Sequence, residues 1–500
     1  MKSSHQDATP LFIFEMANNH QGSLNHGLAI VEEMAKVAER LNIHAAVKLQ
    51  YRDLDTFIHP DFVAREDVKH IPRLLSTRLS WVEFKTLVQA IRDAGMMAIV
   101  TPFDEVSVDR CLDHGVDIIK VASCSANDWP LLEAIAAAGK PVICSTGGCR
   151  LADIDKIVSF FEHRRVQDLS LLHCVGIYPT DDMDQQLSFM QKMLRRYPMC
   201  RVGFSGHERP DNHGPGRAAI AMGAKILERH VGLPTETIQL NAYSMSPEQT
   251  DAWVRAVLQI AQITGEEIEE KTISDAENAS LLSLKRGVFA KRPITAGEPL
   301  QLESVFFAMP CEEGQMASCD WQDGLVASRK YAVNERIFER RPFNETQIAR
   351  SVVHEAKGFL REAGISLGSE YQIELSHHYG IQSFRRFGAI LIDFFNREYC
   401  KKIIVLLPGQ EHPIHAHEKK EETFQILHGE MHLNLNGQAS TLKPGEFTLV
   451  RRGDKHSFST TTGVIFEEIS TTHIKGDSYY DDPKIAALDP IKRKTVIQTW

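Results

Sequence analysis

The sequence predicts an α/β protein that begins with a (β/α)8 (TIM) barrel and ends in a smaller antiparallel β-barrel. From residue 11 to about 263, eight short apolar runs alternate with amphipathic helical patterns. Apolar strands that alternate with helices indicate a parallel sheet covered on its outside. Eight such units in about 250 residues fit a closed barrel better than an open doubly wound sheet, which remains the alternative. Beyond about residue 285, helical patterns become rare and alternating strand patterns with glycine turns prevail.

The eight strand and helix units of residues 1–265 follow one another along the chain. The predicted strands are Leu11–Met16, Ala45–Gln50, Met97–Phe103, Ile118–Ser123, Pro141–Thr146, Ser170–Cys174, Arg201–His207 and Lys225–Val231. The predicted helices between them include Leu24–Arg40, Trp81–Ala94, Leu131–Ala138, Asp153–Glu162 and, as the last, Pro247–Thr264.

Two further domains are expected after the barrel. The polar, acidic segment Gly265–Ala279 predicts a linker, and residues 280–350, with turn signals such as Thr295–Glu298, predict a small and mostly β module. Residues 352–500 open with a helical pattern, Val353–Ala363. They continue with strand patterns that predict an antiparallel barrel or jelly roll, at Lys402–Leu407, Thr423–Leu427, Met431–Leu435 and Phe447–Val450.

Composition excludes several classes of protein. The 56 Lys and Arg residues against 66 Asp and Glu residues give a net charge of −10, which disfavours a dedicated nucleic-acid binder. Apolar runs such as Ile403–Leu407 are far shorter than the ~20 residues that span a bilayer, and Met1–Pro10 lacks the apolar core of a signal peptide. The nine cysteines are scattered without CxxC spacing, so a reduced cytoplasmic location is expected.

Polar residues stand at the carboxyl ends of the predicted barrel strands, where the active site of such a barrel lies. Each of them, taken singly, has a structural alternative, because a lone lysine can lie at a sheet edge and a lone histidine can be a core residue. Together they favour an active site. The set is Glu15, Lys48, Gln50, Thr101, Lys120, Ser123, Ser145, Thr146, His173, Ser205, His207, Glu228 and His230.

The residue types in this set suggest three chemical roles, namely anion binding, metal binding and proton transfer. Two lysines and three serines have the charge and donors to hold a phosphate and a carboxylate. Two histidines on neighbouring strands could hold a divalent metal with positions left open for water and substrate. The carboxylate of Glu15 remains for proton transfer or for holding a hydroxyl group.

Several runs, in order and at characteristic spacing, resemble the N-acetylneuraminate (sialic acid) synthase family over residues 11 to about 263. The module at 280–350 resembles the antifreeze-like (SAF) domain that follows the barrel in that family. The matching runs are Phe14–Gly22, Val47–Gln50, Thr101–Asp104, Lys120–Ser123, Ser145–Gly148, His173–Cys174, Tyr178–Thr180, Gly203–His207 and Glu228–His230.

The resemblance implies that phosphoenolpyruvate condenses with an open-chain amino sugar to give a 3-deoxy nonulosonic acid and phosphate. It implies Mn2+ or Mg2+ on His207 and His230, and Glu15 as the proton-handling, substrate-orienting carboxylate. With these three as catalytic residues, the substrate-binding set comprises Lys48, Gln50, Lys120, Ser123, Ser145, Tyr178 and Ser205. The resemblance also implies a homodimer, because the SAF domain of one subunit caps the barrel of its partner.

Four positions depart from the family pattern. Gly206 stands where an Asp is usual, Gly176 where an Asn is common, Asn241 lies in a run that has lost its acid, and Met309 lies in a run that has lost its arginine. The residues expected to bind phosphoenolpyruvate are intact, whereas those expected to bind the acceptor are altered. The acceptor is therefore open between N-acetylmannosamine, a diacetamido hexose and a non-acylated hexose.

The C-terminal section carries a second metal motif. Residues 409–429 match the first cupin motif in full, and Gly445–His456 match the second with Arg451 in the usual proline position. Two histidines at i and i+2 of a strand point the same way. The predicted ligands of a divalent metal of unknown identity are His415, His417, Glu422 and His456.

The role of this cupin domain is open. The tail Lys475–Asp482 weakly resembles cupins of the D-lyxose isomerase type, which leaves either a sugar isomerase or a module that binds sugar without chemistry. Two alternatives remain for the barrel. It could perform a metal-assisted aldol cleavage without phosphoenolpyruvate, or it could be a non-catalytic sugar-binding or assembly protein on a synthase scaffold.

Overall fold

The computed structural model describes residues 9–265, 271–340 and 344–497. It separates into two compact units that divide between residues 267 and 268. Each unit is described by itself below. Part of the predicted linker, residues 266–270, lies outside the described residues.

The first unit is a closed barrel of eight strands in sequence order, with parallel neighbours throughout. The strands are β1 (Leu11–Glu15), β2 (Ala45–Tyr51), β3 (Met97–Pro102), β4 (Ile118–Val121), β5 (Val142–Ser145), β6 (Leu169–Cys174), β7 (Arg201–Gly206) and β8 (Ile226–His230). The helices are α1 (Leu24–Leu41), α2 (Leu54–Phe57), α3 (Ile71–Ser76), α4 (Trp81–Asp93), α5 (Glu105–His114), α6 (Trp129–Ala137), α7 (Leu151–His163), α8 (Ser188–Arg196), α9 (Gly214–Ala221) and α10 (Pro247–Thr264). The predicted TIM barrel is confirmed, and the open sheet is excluded.

The longer barrel helices begin at residues with clear capping chemistry. The Ser23 side chain accepts a hydrogen bond from the backbone of His26 at the start of α1. Ser80 and Ser246 form capping boxes with Glu83 and Gln249 at the starts of α4 and α10. These caps satisfy amide groups that the first helical turn leaves without partners.

The alternation of side chains along each strand sorts the barrel residues between two cores. Phe12 and Phe14 pack outward against the helices, whereas Leu11 and Ile13 join a separate apolar cluster from the other strands. Because successive side chains of a strand point to opposite faces, Glu15 shares the face of Leu11 and Ile13. The apolar cluster therefore fills one end of the interior and leaves the carboxyl ends of the strands for polar residues.

The second unit begins with helix α11 (Asp275–Leu284), which occupies part of the predicted linker. A two-stranded antiparallel sheet follows, β9 (Gly287–Ala290) with β10 (Val305–Ala308). Turns and single bridges connect the rest of this segment, and residues such as Val288, Leu300 and Ile337 form its core. A small β module is found here, as predicted.

Two antiparallel sheets make up the C-terminal part of the unit. Helix α12 (Glu345–Glu362) precedes them, so the predicted boundary between residues 350 and 352 falls inside a helix. The strands and short helices of this part are β11 (Gln372–His377), α13 (Phe384–Phe387), β12 (Gly388–Asn396), β13 (Tyr399–Leu406), β14 (Glu411–Ala416), β15 (Glu422–Gly429), β16 (Met431–Leu435), β17 (Gln438–Leu442), β18 (Phe447–Val450), β19 (His456–Ser459), β20 (Val464–Thr471), β21 (Tyr479–Tyr480), α14 (Pro483–Ala486) and β22 (Lys494–Ile497). The seven-stranded sheet has the order β18-β15-β20-β13-β12-β11-β22, and the five-stranded sheet has the order β17-β16-β19-β14-β21.

Two expectations from composition can be compared with this structure. All nine cysteines are free thiols in this structure. Within the described ranges, no helix combines the length and the apolar character needed to cross a membrane.

Candidate active site and metal centres

A charged network occupies the carboxyl ends of the barrel strands. Nζ of Lys48 lies 2.5 Å from Oε2 of Glu15 and 2.7 Å from Oε1 of Glu228. Nζ of Lys120 lies 3.6 Å from Oε2 of Glu228. All four side chains are buried. Two positive charges therefore balance two negative charges, which offsets part of the cost of removing them from water.

Three predicted serines surround this network. Nζ of Lys120 donates to Oγ of Ser145 at 2.6 Å, and Oγ of Ser205 donates to Oε1 of Glu228 at 3.0 Å. Ser123 is held differently, because its Oγ accepts from the backbone N–H of Gly147 at 3.0 Å. The structure thus brings Lys48, Lys120, Ser145 and Ser205 together around Glu228, with Ser123 oriented by backbone.

The protonation states follow from burial and charge. Burial acts to raise the pKa of Glu228, but Lys120 and Lys48 outweigh it and hold that pKa well below its ordinary value. Burial lowers the pKa of Lys48 to about 8, against the attraction of Glu228. Glu228 is therefore an ionised carboxylate that fixes both lysines.

His207 and His230 form a second group at the same end of the barrel. Their ring centroids lie 5.4 Å apart, and Nδ1 of His207 hydrogen-bonds the backbone oxygen of Val175 at 2.9 Å. That bond assigns the proton to Nδ1 and leaves Nε2 as a free lone pair. Burial lowers the pKa of His207 to about 4. Burial and the neighbouring His207 hold the pKa of His230 well below its ordinary value. Two neutral imidazoles fit a divalent cation with open coordination positions.

Two tyrosines enclose the histidine pair. The ring of Tyr178 lies 4.1 Å from that of His207, and the ring of Tyr243 lies 5.0 Å from that of His230. Tyr178 is among the residues predicted to bind substrate, whereas Tyr243 is not. No sequence signal points to Tyr243, because it lies in an irregular loop where Oδ1 of Asn241 accepts from its backbone N–H at 3.1 Å.

Other candidates at the strand ends have different surroundings. Oε1 of Gln50 accepts from Arg52 at 3.0 Å, and the Arg52 guanidinium lies 3.5 Å from the ring centroid of Phe103. His173 is buried, and its Nε2 bonds the backbone oxygen of Gln185 at 2.7 Å, as expected of a structural histidine. Glu228 was noted at a strand end but not selected as a site residue. Its place two residues before His230 on one strand was the available signal.

The surroundings of Gly206 give a structural reason for the glycine at this position. Gly206 lies opposite Arg229 where β7 pairs with β8. The guanidinium of Arg229 packs over Trp253 of α10, and so it does not lie in the barrel interior. Oε1 of Glu208 lies 3.1 Å from Nη1 of Arg229. A Cβ atom at residue 206 would lie 2.4 Å from Oε2 of Glu208. Glu208 thus places a carboxylate beside the position where the resemblance implies an acid, and the glycine at 206 leaves room for it.

The remaining departures are exposed. A Cβ atom at Gly176 would meet no atom within 4 Å. Met309 lies in the second unit with 62% of its surface exposed. Packing in the described chain therefore constrains neither Gly176 nor Met309.

Three of the predicted ligands in the cupin segment converge. One ring nitrogen from each of His415, His417 and His456 lies within 4.8 Å of the others. Nδ1 of His415 bonds the oxygen of Pro413 at 3.1 Å, and Nδ1 of His456 bonds that of Asp454 at 3.2 Å. Nδ1 of His417 bonds the oxygen of Asp477. All three Nε2 atoms are therefore available as ligands.

Glu422 adjoins this histidine triad. Its Oε2 lies 3.4 Å from Nε2 of His456 and 3.6 Å from Nε2 of His417, while Oε1 pairs with Lys420. Both Oε2 of Glu422 and Nε2 of His456 are buried without a hydrogen-bond partner. Burial and the nearby Glu468 raise the pKa of Glu422 to about 7, against Lys420. These partnerless atoms, together with the donor set, fit a divalent metal ion; Glu422 as its fourth ligand stays a prediction.

The tail singled out in the sequence packs directly on this centre. Besides contacting His417, Asp477 accepts from the backbone N–H of Lys420 at 2.9 Å. The ring of Tyr480 stacks on His415, with 5.2 Å between centroids. A cavity of about 490 Å³ adjoins the triad, with Lys402 and Glu468 also in its lining.

Comparison with known proteins matches two segments of the chain to known families. The NeuB family profile matches residues 34–269, and the cupin domain profile matches residues 402–467. An uncharacterised protein from Methanocaldococcus jannaschii is 30% identical over 307 residues, which cover 60% of this chain and 85% of that protein. N,N'-diacetyllegionaminic acid synthase from Campylobacter jejuni is 24% identical over 343 residues, which cover 66% of this chain and 99% of the synthase.

A solved structure agrees with these matches. A protein from Chromobacterium violaceum, provisionally named spore coat polysaccharide biosynthesis protein E, superposes with a TM-score of 0.63 at 45% identity. The alignment covers 66% of this chain and 98% of that protein. The barrel, its strand-end residues and these relatives together show that the chain belongs to the NeuB family, to which it adds a C-terminal cupin domain.

Proposed function

We propose that the barrel condenses phosphoenolpyruvate with an open-chain hexosamine-type sugar to give a 3-deoxy nonulosonic acid and phosphate. The observation that carries this proposal is the buried network of Lys48, Lys120, Glu15 and Glu228 beside the histidine pair. An anion of phosphoenolpyruvate's charge requires fixed cations, and a nascent alkoxide requires an electrophile next to them. Both kinds of group stand at one end of one barrel.

The donor side of the reaction is assigned to the lysines and serines. Lys48 and Lys120 pair with the phosphate and carboxylate of phosphoenolpyruvate, and the hydroxyls of Ser123, Ser145 and Ser205 supply directed hydrogen bonds. Glu228 keeps the lysines in place before substrate arrives, since both contact it. Preorganised charges of this kind lower the barrier because they need not reorient during the reaction.

The acceptor side is assigned to the histidines and Glu15. His207 and His230 would hold Mn2+ or Mg2+, which supplies Lewis-acid polarisation of the sugar aldehyde when bound. Carbon 3 of phosphoenolpyruvate bonds to the aldehyde carbon, water adds at carbon 2, and the bond between carbon 2 and the phosphate oxygen breaks. Glu15 takes up the proton of that water or orients a sugar hydroxyl; its Oε2 has Lys48 as a nearby charge and no hydrogen-bond partner.

The identity of the acceptor sugar is the least constrained part of the proposal. The Campylobacter jejuni relative is named for N,N'-diacetyllegionaminic acid, a product other than N-acetylneuraminate. Gly176 and Met309 lie at exposed positions that do not reproduce the family pattern. A diacetamido or a non-acylated hexose therefore remains an acceptor candidate beside N-acetylmannosamine. The ring of Tyr243 near His230 offers an aromatic surface on which one face of a sugar can pack.

The test is phosphate release from phosphoenolpyruvate by the purified protein with each of these sugars. We expect release that depends on one sugar and on a divalent metal. Lys120→Met should reduce it by at least 100-fold, whereas Lys156→Met, an exposed lysine on α7, should leave it unchanged. Sugar-dependent turnover by the Lys120→Met variant at the normal rate would refute the assignment.

We also propose that residues 1–265, 280–350 and 352–500 act as synthase, SAF and cupin domains, and that the protein is a cytoplasmic homodimer. The SAF assignment rests on resemblance and on the compact core around Val288. Light scattering of the full chain should give twice the mass of 56.3 kDa. A monomer that makes product at full rate would exclude a partner's contribution to the site.

A sugar isomerase in the cupin is a second candidate function. The cavity beside the histidine triad places the acid and base groups Glu422, Glu468 and Lys420 in one buried cluster, as proton transfer along a sugar chain requires. Aldose–ketose exchange by the metal-loaded full chain, abolished by His456→Ala, would support it. Binding of sugars without exchange would leave a binding module.

A further inference from the structure

The cupin cavity contains a buried cation that the described chain leaves unpaired. Arg493 is 8% exposed, lines the cavity that adjoins the histidine triad, and has an Nη1 atom without a hydrogen-bond partner. Among the described residues, no carboxylate lies within ion-pair distance of it. Removing a guanidinium from water without an anion is costly, so such a group is typical of a place where a ligand supplies the anion.

The other buried or half-buried cations of the cavity have carboxylate partners. Nζ of Lys402 lies 3.0 Å from Asp393, and Nζ of Lys494 lies 2.7 Å from Glu374. Lys420 pairs with Glu422 and Glu468. The cavity therefore neutralises its buried and half-buried lysines internally, whereas Lys475, also in the lining, is exposed. Among the buried cations of this lining, the guanidinium of Arg493 has no carboxylate partner within the described residues. A guanidinium binds carboxylate or phosphate through two parallel hydrogen bonds.

The position of Arg493 relative to the triad suggests the size of the ligand. Its guanidinium lies 4.9 Å from the ring centroid of Tyr480, and Tyr480 stacks on His415. One aromatic ring thus separates the free cation from a predicted metal ligand. A volume of about 490 Å³ suits a monosaccharide that reaches both ends. The carboxylates of Glu468 and Asp393 in the same lining are acceptors for hydroxyl groups.

We propose that the cupin cavity binds a sugar that carries an anionic group, with that carboxylate or phosphate held by Arg493 and the hydroxyl groups directed toward the histidine triad. The proposal is independent of the barrel reaction, and it holds whether or not the cavity performs chemistry. If the anion is a carboxylate, the ligand has the same chemical class as the sugar acid proposed as the product of the barrel.

The test is calorimetric titration of the full-length, Mn2+-loaded protein with three probes. N-acetylneuraminate supplies a carboxylate, mannose 6-phosphate supplies a phosphate, and N-acetylmannosamine is neutral. We expect one anionic probe to bind at a site whose affinity falls at least tenfold in Arg493→Gln and less in Arg493→Lys. Lys492→Gln, the exposed neighbour, is the control and should change nothing.

Two further measurements distinguish a loss of ligand binding in the cupin from misfolding and from an effect on the barrel. Bound Mn2+ and circular dichroism of each variant should match the parent, which excludes misfolding. Phosphate release by the barrel should be unchanged in Arg493→Gln, because Arg493 lies in the second unit. Equal affinity of the parent and Arg493→Gln for every probe, binding of the neutral sugar as tightly as the anionic ones, or no binding of any probe would overturn the proposal.

Discussion

The buried carboxylate of Glu208, which lies beside the glycine at residue 206, leads to a prediction about the stability of the barrel. Glu208 and Arg229 are buried as a pair beside Gly206. The family resemblance implies an aspartate at the position of Gly206. We predict that Glu208→Thr and Gly206→Asp each destabilise the barrel. The double variant should recover much of the loss, because a carboxylate at position 206 would replace the one that Arg229 loses at position 208.

The magnitude follows from the contacts. Removing one partner of a buried ion pair costs about 3–5 kcal/mol. Arg229 also donates to the backbone oxygens of Glu208 at 2.7 Å and Arg209 at 3.1 Å, which places Glu208→Thr at the lower end, about 3 kcal/mol. In Gly206→Asp, the new Cβ would lie 2.4 Å from Oε2 of Glu208 and 2.8 Å from Cε1 of Phe204. Removing the Glu208 side chain relieves the first of these clashes.

Thermal unfolding monitored by circular dichroism measures the effect. A loss of about 3 kcal/mol lowers the melting temperature of a unit this size by about 6–12 °C. The double variant should melt above both single variants, with a coupling free energy of at least about 1.5 kcal/mol, half the loss expected from a broken pair. If the effects of the two substitutions simply add, Glu208 does not take the place of the missing aspartate, and the structural explanation of Gly206 is wrong.

Three other predictions concern catalysis, metal content and acid stability. His230→Ala should lower sugar-dependent phosphate release at least 100-fold with an unchanged circular dichroism spectrum; normal turnover would exclude His230 as a catalytic residue. His456→Ala should reduce the metal bound per chain, measured by atomic absorption, by one equivalent while the barrel's metal-dependent phosphate release persists; an unchanged metal content would refute the cupin site. Burial lowers the pKa of His20 to about 4. The unfolded chain takes up this proton near pH 6.5 and the folded chain only near pH 4, so the folded state loses stability as the pH falls between these two values. His20→Gln should weaken this dependence in urea unfolding series, and an identical slope would show that His20 is not responsible.

The fold was predictable because its periodic signals are strong. All eight barrel strands lie within about two residues of the predicted ranges, and α10 has the predicted bounds of Pro247–Thr264. The predicted boundary near residue 351 falls within α12, because the amphipathic pattern of this helix extends back to Glu345. Local composition there changes gradually, so a break in the pattern was inferred where the helix continues.

The candidate site was only partly predictable. The rule that catalytic groups gather at the carboxyl ends of barrel strands placed Lys48, Lys120 and the two histidines correctly relative to one another. It did not show that Glu228 would be the common partner of both lysines. Distances between side chains on different strands depend on the closure of the barrel. Sequence spacing contains no such information, and Tyr243 reaches the site only through the path of an irregular loop.

In the proposed reaction, the barrel forms a carbon–carbon bond with phosphoenolpyruvate and then cleaves the bond between carbon 2 and oxygen. Phosphoenolpyruvate labelled with 18O in the bridging position tests it directly, with the released phosphate and the sugar acid analysed by mass spectrometry. We predict labelled phosphate in an amount equal to that of a new acid, whose mass is the sum of the masses of pyruvic acid and the sugar. Unlabelled phosphate, phosphate released without a sugar, or no turnover with any hexosamine would contradict it.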